Sequence, residues 1–245
     1  WGAEHENVHA NQAAYFIKVY DDDREFWNSG WVQSGEMQAV YAGQPLVPEG
    51  RFTWELTLKD TNGLISETAA GYFRVAPKTF EDVRWITTEE DVQGVAKYFA
   101  KQFEITKPVK RATLYASGIG CQQVTINGKQ ADEAVLSPAV SNFKRQCYCV
   151  MLSIEDFLQI GKNCIGIVVG EGWRRNYGRY LRGIHQQEVE FFGTPQLFAR
   201  VVLEYSDGTR EEWDADDTWY GFTGGTIRNH LFDGETFDAR LEPKG

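Results

Sequence analysis

Between Glu171 and Arg182 the chain runs Glu171-Gly172-Trp173-Arg174-Arg175-Asn176-Tyr177-Gly178-Arg179-Tyr180-Leu181-Arg182. That is four arginines and three large aromatics in twelve residues of an otherwise acidic protein. Aromatic faces stack on the C–H faces of sugar rings, and a guanidinium fork donates paired hydrogen bonds to hydroxyls or carboxylates. Glycines interrupt the segment, so it reads as a loop, and loops at the rim of a rigid scaffold are where binding groups collect. Trp173, Arg174, Arg175, Asn176, Tyr177 and Arg179 are therefore candidate contacts for a sugar or a uronate-containing glycan. Asn142 and Arg145 are further polar groups for the same end of the fold. Arginines and aromatics also furnish interfaces between modules of one chain. Docking on a neighbouring module is thus the competing reading, and a plain solvated loop is the third.

A second cluster, Asp233-Gly234-Glu235-Thr236-Phe237-Asp238, places three carboxylates in six residues. Oxygen ligands at alternate positions suit Ca²⁺, although the spacing is not that of an EF-hand loop. Acid–base work by such a pair would need raised pKa values. The structural reading is preferred, with Glu235 and Asp238 pairing with Arg240 or with arginines of the long loop. Asp214-Ala215-Asp216-Asp217 reads as a solvated turn entering a strand. No phosphate-cradling glycine loop, Ser/His/Asp spacing or His-Glu-x-x-His pattern occurs.

The four cysteines are Cys121, Cys147, Cys149 and Cys164. Cys147 and Cys149 alternate within an apolar run, so a strand would carry both on one face as small core side chains. A Cys-x-Cys pair with histidines scattered at 5, 9, 185 and 230 is too sparse for zinc. Buried free thiols are expected rather than disulfides. They favour a reducing compartment and hence the cytoplasm. The chain opens at Trp1, not Met, in what reads as mid-strand, so it is expected to start inside a longer protein and export stays open.

The elements that must position these groups are strands. Helical periodicity is almost absent, and alternation recurs at 14–20, 52–58 and 72–75 and then at 97–105, 110–117, 121–127, 146–153, 163–169, 196–205 and 210–214. Turns such as Asp21-Asp22-Asp23 and Thr61-Asn62-Gly63 separate them. Asn127-Gly128 and Asp207-Gly208 predict two-residue hairpins, whose type I′ turns need positive φ at both central residues. One short helical turn is expected over 154–158, with Ser153 as its N-cap. Such spacing predicts an all-β protein of two sandwiches. A boundary is expected near 76–95, where Ala76-Pro77 ends a strand run and Val83-Arg84-Trp85-Ile86 forms an apolar island that would pin the linker.

The composition, 42% apolar and 14% aromatic over 245 residues, suffices for sizeable cores. The net charge of −10 repels phosphate backbones, so nucleic acid is not an expected partner. No apolar run approaches the ~18–20 residues of a spanning helix, so no membrane partner is expected either.

Several motifs, in order, carry a resemblance. They are Gln12-Ala13-Ala14-Tyr15, Trp27-Asn28-Ser29-Gly30, Tyr41-Ala42-Gly43-Gln44-Pro45-Leu46 and Trp85-Ile86, followed by Ile126-Asn127-Gly128-Lys129, Val135-Leu136-Ser137-Pro138, Gly170-Glu171-Gly172-Trp173 and Asp233 to Arg240. This order resembles the N-terminal region of bacterial α-L-rhamnosidases of the inverting glycoside hydrolase kind, over nearly the whole chain. The resemblance implies a fibronectin III or immunoglobulin-like sandwich at 1–76, with Trp1 in its second strand. A linker at 77–95 and a larger jelly-roll-like, galactose-binding-like sandwich at 96–245 would follow. It further implies a parent enzyme whose opposed acid and base lie in a downstream catalytic α/α-barrel, this segment's main partner, with rhamnose-containing glycans or glycosides as ligands. The segment itself is then non-catalytic. Domains of this type sometimes carry calcium, which adds slightly to that reading of 233–238. Arg174-Arg175-Asn176 after Trp173, and Ser137-Pro138-Ala139-Val140, depart from the family pattern. The alternative is a free-standing carbohydrate-binding or adhesion module.

Overall fold

A computed structural model describes residues 1, 11–78, 80, 82–175 and 193–242. The chain divides into two compact units, Trp1–Glu81 and Asp82–Gly245. Both are built of strands, as the alternating pattern requires.

In the first unit β1 (Gln12–Asp21), β2 (Arg24–Gln33), β3 (Arg51–Asp60) and β4 (Ala69–Arg74) form one antiparallel sheet in the order β2-β1-β3-β4. The two-residue period sends Tyr15, Val19, Phe52 and Leu56 to a buried face. There Phe52 meets Phe26 and Phe73, with ring centroids 5.1 and 5.5 Å away. Trp1 lies outside any strand, contrary to expectation. Its indole N–H donates to the Gln12 Oε1 at 2.8 Å and its ring meets the edge of Tyr15.

The second unit contains β5 (Lys97–Ile105), β6 (Val109–Ile119), β7 (Cys121–Ile126), β8 (Lys129–Gln130), β9 (Val150–Ser153), β10 (Gly161–Gly170), β11 (Gln196–Tyr205), β12 (Arg210–Asp214), β13 (Tyr220–Thr223), β14 (Thr226–His230) and β15 (Gly234–Phe237). One sheet runs β13-β5-β10-β7-β8, a second runs β12-β11-β6-β9, and β14 and β15 make a separate hairpin. A single core of Phe99, Leu114, Ile126, Ile165, Ile167 and Leu203, with other apolar neighbours, fills the space between the two large sheets. The apolar island before β5 joins this unit. Ile86 exchanges two backbone hydrogen bonds of 2.9 Å with Leu197, and Trp85 packs on Phe198.

Several local expectations need correction. Asn127 and Gly128 both take positive φ, 51° and 77°, as a type I′ turn demands. At 207–208 only Gly208 does, with φ 83°, and the Gly208 N–H bonds the Tyr205 carbonyl, so this is a longer turn ending in a left-handed glycine. The helical turn is a 3-10 turn over Glu155–Phe157 whose N-cap position belongs to Ile154, with no side-chain cap, because Ser153 still belongs to β9. The strand expected at 146–153 begins only at Val150, so Cys147 and Cys149 precede it. All four cysteines are free and half-buried, and burial pushes the Cys149 thiol up to about 12. β2, β8, β13, β14 and β15 escaped the pattern because polar and glycine residues interrupt their alternation.

Candidate binding site at one end of the second unit

Strand β10 carries the chain to Gly170, and a turn over Glu171–Arg175 follows, closed by the Arg174 N–H on the Glu171 carbonyl at 2.9 Å. Two glycines let the backbone fold this tightly. Gly120, at φ 145°, lies where a Cβ would stand 2.0 Å from the Gly170 carbonyl oxygen, and Gly172, at φ 46°, has the Cys121 Sγ 2.7 Å from the same notional position.

Beneath the turn lies an ionic clasp. The Arg175 guanidinium donates to both carboxylate oxygens of Asp91, at 2.8 Å to Oδ1 and closer to Oδ2, and also reaches Thr194 Oγ1 at 3.1 Å. Lys97, 1% exposed, puts its Nζ 3.1 Å from Asp91 and donates to Thr88 Oγ1 and the Glu90 carbonyl. Hydrogen bonding from Arg175 above all, with Thr194 and Lys97 adding to it, holds the Asp91 carboxyl well below the usual carboxylate range, against the opposing effect of burial. Glu171 is buried and its pKa is raised by that burial, offset in part by the Gly94 N–H at 2.5 Å and by Arg175. Asn229 ties in the hairpin β14-β15: its Oδ1 accepts from Glu171 N–H at 2.6 Å while its Nδ2 donates to the Gly94 carbonyl at 2.7 Å.

Above the clasp the surface is aromatic. Trp173 is 38% exposed and meets the more open Phe232 edge-on, with centroids 5.8 Å apart and planes at 87°. His230 stands 6.1 Å behind Phe232, its Nδ1 accepting backbone N–H groups of Phe232 and Asp233. Arg174 lies over the Phe143 ring at 5.9 Å and donates to the Thr194 carbonyl. The 141–147 turn, which contains exposed Asn142 and Arg145, therefore adjoins the Trp173 turn. The Asn142 side chain is occupied locally, accepting from Lys144 N–H at 3.2 Å.

The candidate residues thus separate. Trp173 is on the rim, Arg174 is half-buried just beneath it, and Asn142 lies beside it. Arg175, expected as a surface contact, is buried with its fork filled by Asp91, because the turn directs it inward. Asn176, Tyr177 and Arg179 lie outside the described residues. Asp238 and Arg240 form a paired contact, with Asp238 also accepting the Arg240 N–H at 3.0 Å. Glu235 stays exposed on β15 opposite Asn229, with no ion pair to Arg240 among the described residues. Asp233 faces Arg228 and His230 instead, so the three carboxylates do not converge. No group of three potential metal ligands occurs among the described residues. Asp91, Lys97, Phe143, Asn229 and Phe232 were not legible as site residues. Asp91 ends an acidic run that reads as a solvated loop, and the rest have partners far away in sequence.

Fold and rim together define an all-β module with polar and aromatic loops gathered at one end of its larger unit. Residues 107–245 match the α-L-rhamnosidase N-terminal domain, and residues 1–77 match the Rha78A-like, N-terminal immunoglobulin domain. The chain belongs to the family of α-L-rhamnosidase N-terminal domains. It is 28% identical to an α-L-rhamnosidase of Formosa agariphila over 99% of this chain and 29% of the relative, and 23% identical to one from Alteromonas sp. over 96% and 27%. The structure of α-L-rhamnosidase from Dictyoglumus thermophilum superposes over all of this chain and 29% of its own, with TM-score 0.78 and 26% identity. That of Aspergillus terreus shares the fold at TM-score 0.77 and 24% identity, over 99% of this chain and 29% of its own. The chain therefore spans about 29% of the length of the first of these relatives.

Proposed function

We propose that this chain is the non-catalytic front portion of an α-L-rhamnosidase, and that its second unit presents the Trp173 rim to the catalytic module downstream. The observation that carries this is the coverage: almost all of the chain matches less than a third of proteins named α-L-rhamnosidase. The chemistry supports it. Inverting glycoside hydrolysis needs two carboxyls about 6.5–9.5 Å apart, one of them with a raised pKa and both open to substrate. Among the described carboxylates whose pKa shifts, Asp91, Asp207, Asp216 and Asp238 are lowered by hydrogen bonds to neighbouring side chains. Glu171 alone is raised, and it is shut in by Gly94 and Arg175. The parent's general acid and base then belong to an α/α-barrel, which this strand-built chain does not contain among its described residues.

The test compares these 245 residues with the full-length protein on an aryl α-L-rhamnoside. The full-length protein is expected to release the phenol and the 245-residue chain to be inert; turnover by the chain alone would sink the proposal. Exposure of Trp173 and Phe232 also favours direct sugar contact. Titration with L-rhamnose decides between the two. Chemical-shift changes at Trp173 in the millimolar range mean sugar contact, and their absence leaves docking.

A further inference from the structure

The sheet of the first unit has a second face unlike its buried one. Phe16 of β1 and Trp31 of β2 sit opposite one another there, ring centroids 5.7 Å apart. Farther along the same face, Tyr20 and Tyr72 share a row across β3, with Thr53 between them. Trp31 is 44% exposed and Tyr72 is 57% exposed. At ~4.8 Å between strands and ~3.4 Å per residue along them, the line from Trp31 to Tyr72 runs diagonally for about 20 Å.

Cations accompany the rings. Lys59 Nζ lies 5.8 Å from the Trp31 centroid, Lys18 Nζ 5.8 Å from Phe16, and the Arg51 guanidinium 4.5 Å from Tyr72. The two lysine contacts sit near the ~6 Å limit of a cation–π pair, so neither lysine is held tightly against its ring. Two carboxylates of these strands share the face: Glu55, directly opposite Lys18, accepts the Tyr20 hydroxyl at 2.8 Å, and Glu25 accepts Asn28 Nδ2 at 2.6 Å. Lys18, Lys59, Arg51 and Arg74 on the same face outnumber them. In a chain of net charge −10 this face therefore presents cations beside exposed rings. Cross-strand packing alone accounts for paired side chains on a sheet face. It requires neither the exposure of two large aromatics nor a cation beside each ring.

We propose that this face binds an anionic oligosaccharide, a run of uronate sugars whose rings stack on Trp31 and Tyr72 while their carboxylates meet Lys18, Lys59 and Arg51. Flat apolar ring faces suit the stacking, and charged donors suit the carboxylates. The site is independent of the rim at Trp173 and of the proposed rhamnosidase activity of the parent.

Calorimetric titration of the 245-residue chain with a galacturonate tetramer, alongside a neutral galactose tetramer, tests it. The uronate oligomer is expected to bind in the millimolar range or tighter, more weakly as salt rises, and in preference to the neutral one. Trp31→Ala and Tyr72→Ala should each weaken binding by about tenfold, the scale of one aromatic contact. Lys18→Gln with Lys59→Gln should reduce the preference for the charged ligand, and adding Arg51→Gln should remove it. All five positions are on the sheet surface, and unchanged melting curves confirm that the variants fold. No binding at millimolar ligand, equal affinity for the neutral oligomer, or affinity that survives Trp31→Ala would each overturn the proposal. So would loss of uronate binding in Trp173→Ala, which would move the site to the other unit.

Discussion

At the scale of single residues, Arg175 teaches the most. Its side-chain type advertises ligand binding, and its position in an aromatic, arginine-rich segment strengthens that reading. Burial turns it into a structural cation instead, because Asp91 and Thr194, from two remote stretches of chain, converge on it together with Glu171 of its own turn. Removing one partner of a buried pair costs about 3–5 kcal/mol, and exposed pairs are worth at most about 1. With the Asp91 side chain 36% exposed, Arg175→Ala should cost roughly 2–3 kcal/mol in urea unfolding, between those limits. The pH dependence has a definite sign. Asp91 is more acidic folded than unfolded, so its contribution is fully present above about pH 4 and fades as pH falls toward the depressed folded value. Glu171 is shifted the other way, so its contribution weakens as pH rises from its unfolded pKa through the raised folded one. Asp91→Asn should therefore flatten the loss of stability of the chain below about pH 4, measured as denaturation midpoint against pH. An unchanged slope would mean that the clasp does not stabilise the fold. Asp91 itself was not legible. A carboxylate at the end of Thr87-Thr88-Glu89-Glu90-Asp91 looks solvated until the fold brings cations from 97 and 175 to it.

Elements were easier to read than residues where alternation was strong. β5, β11 and β12 fall on the residues expected of them, since β-branched and aromatic side chains on a half-buried pleat leave an unmistakable period. β2 and β13–β15 were missed because Gly30, Gly221 and polar stretches hide their period, and pairing to a neighbour is what makes them strands. The turn between β6 and β7 yields a prediction at this scale. Gly120 combines φ 145° with a notional Cβ 2.0 Å from a backbone oxygen that cannot rotate away. Gly120→Ala should then cost about 3 kcal/mol or more, through strain and a displaced β10 terminus. Gly208→Ala, at φ 83° with open space around it, should cost about 1 kcal/mol. Equal midpoints for the two variants in chemical denaturation would show that the close approach at Gly120 is not real.

At the scale of the whole molecule, the second unit owns a continuous core between two sheets, with Leu114, Ile126, Ile165 and Ile167 at 0% exposure. A unit with its own core folds as a domain. Residues 82–245 expressed alone should give a strand-dominated circular dichroism spectrum and one cooperative thermal transition. A fragment beginning at residue 96 should be less stable, because it lacks the Ile86–Leu197 bridge, Trp85 on Phe198 and the Asp91 clasp. If the shorter fragment melts at the same temperature, residues 82–95 contribute nothing to this unit.

The sequence by itself determined that the chain is strand-built, that it has two sections, and that its aromatics and arginines concentrate around residue 173. Local period and turn chemistry carry such facts within a few residues. Motif order carried the family. Tertiary structure alone decided which of those side chains face outward. Trp173 reaches the rim, Arg174 lies half-buried against Phe143 and Arg175 is drawn inward, while Phe232 and Phe143 join them from turns remote in the chain. Burial and ion pairing depend on distances between segments that share no local signal, so only the packed sheets could assign them.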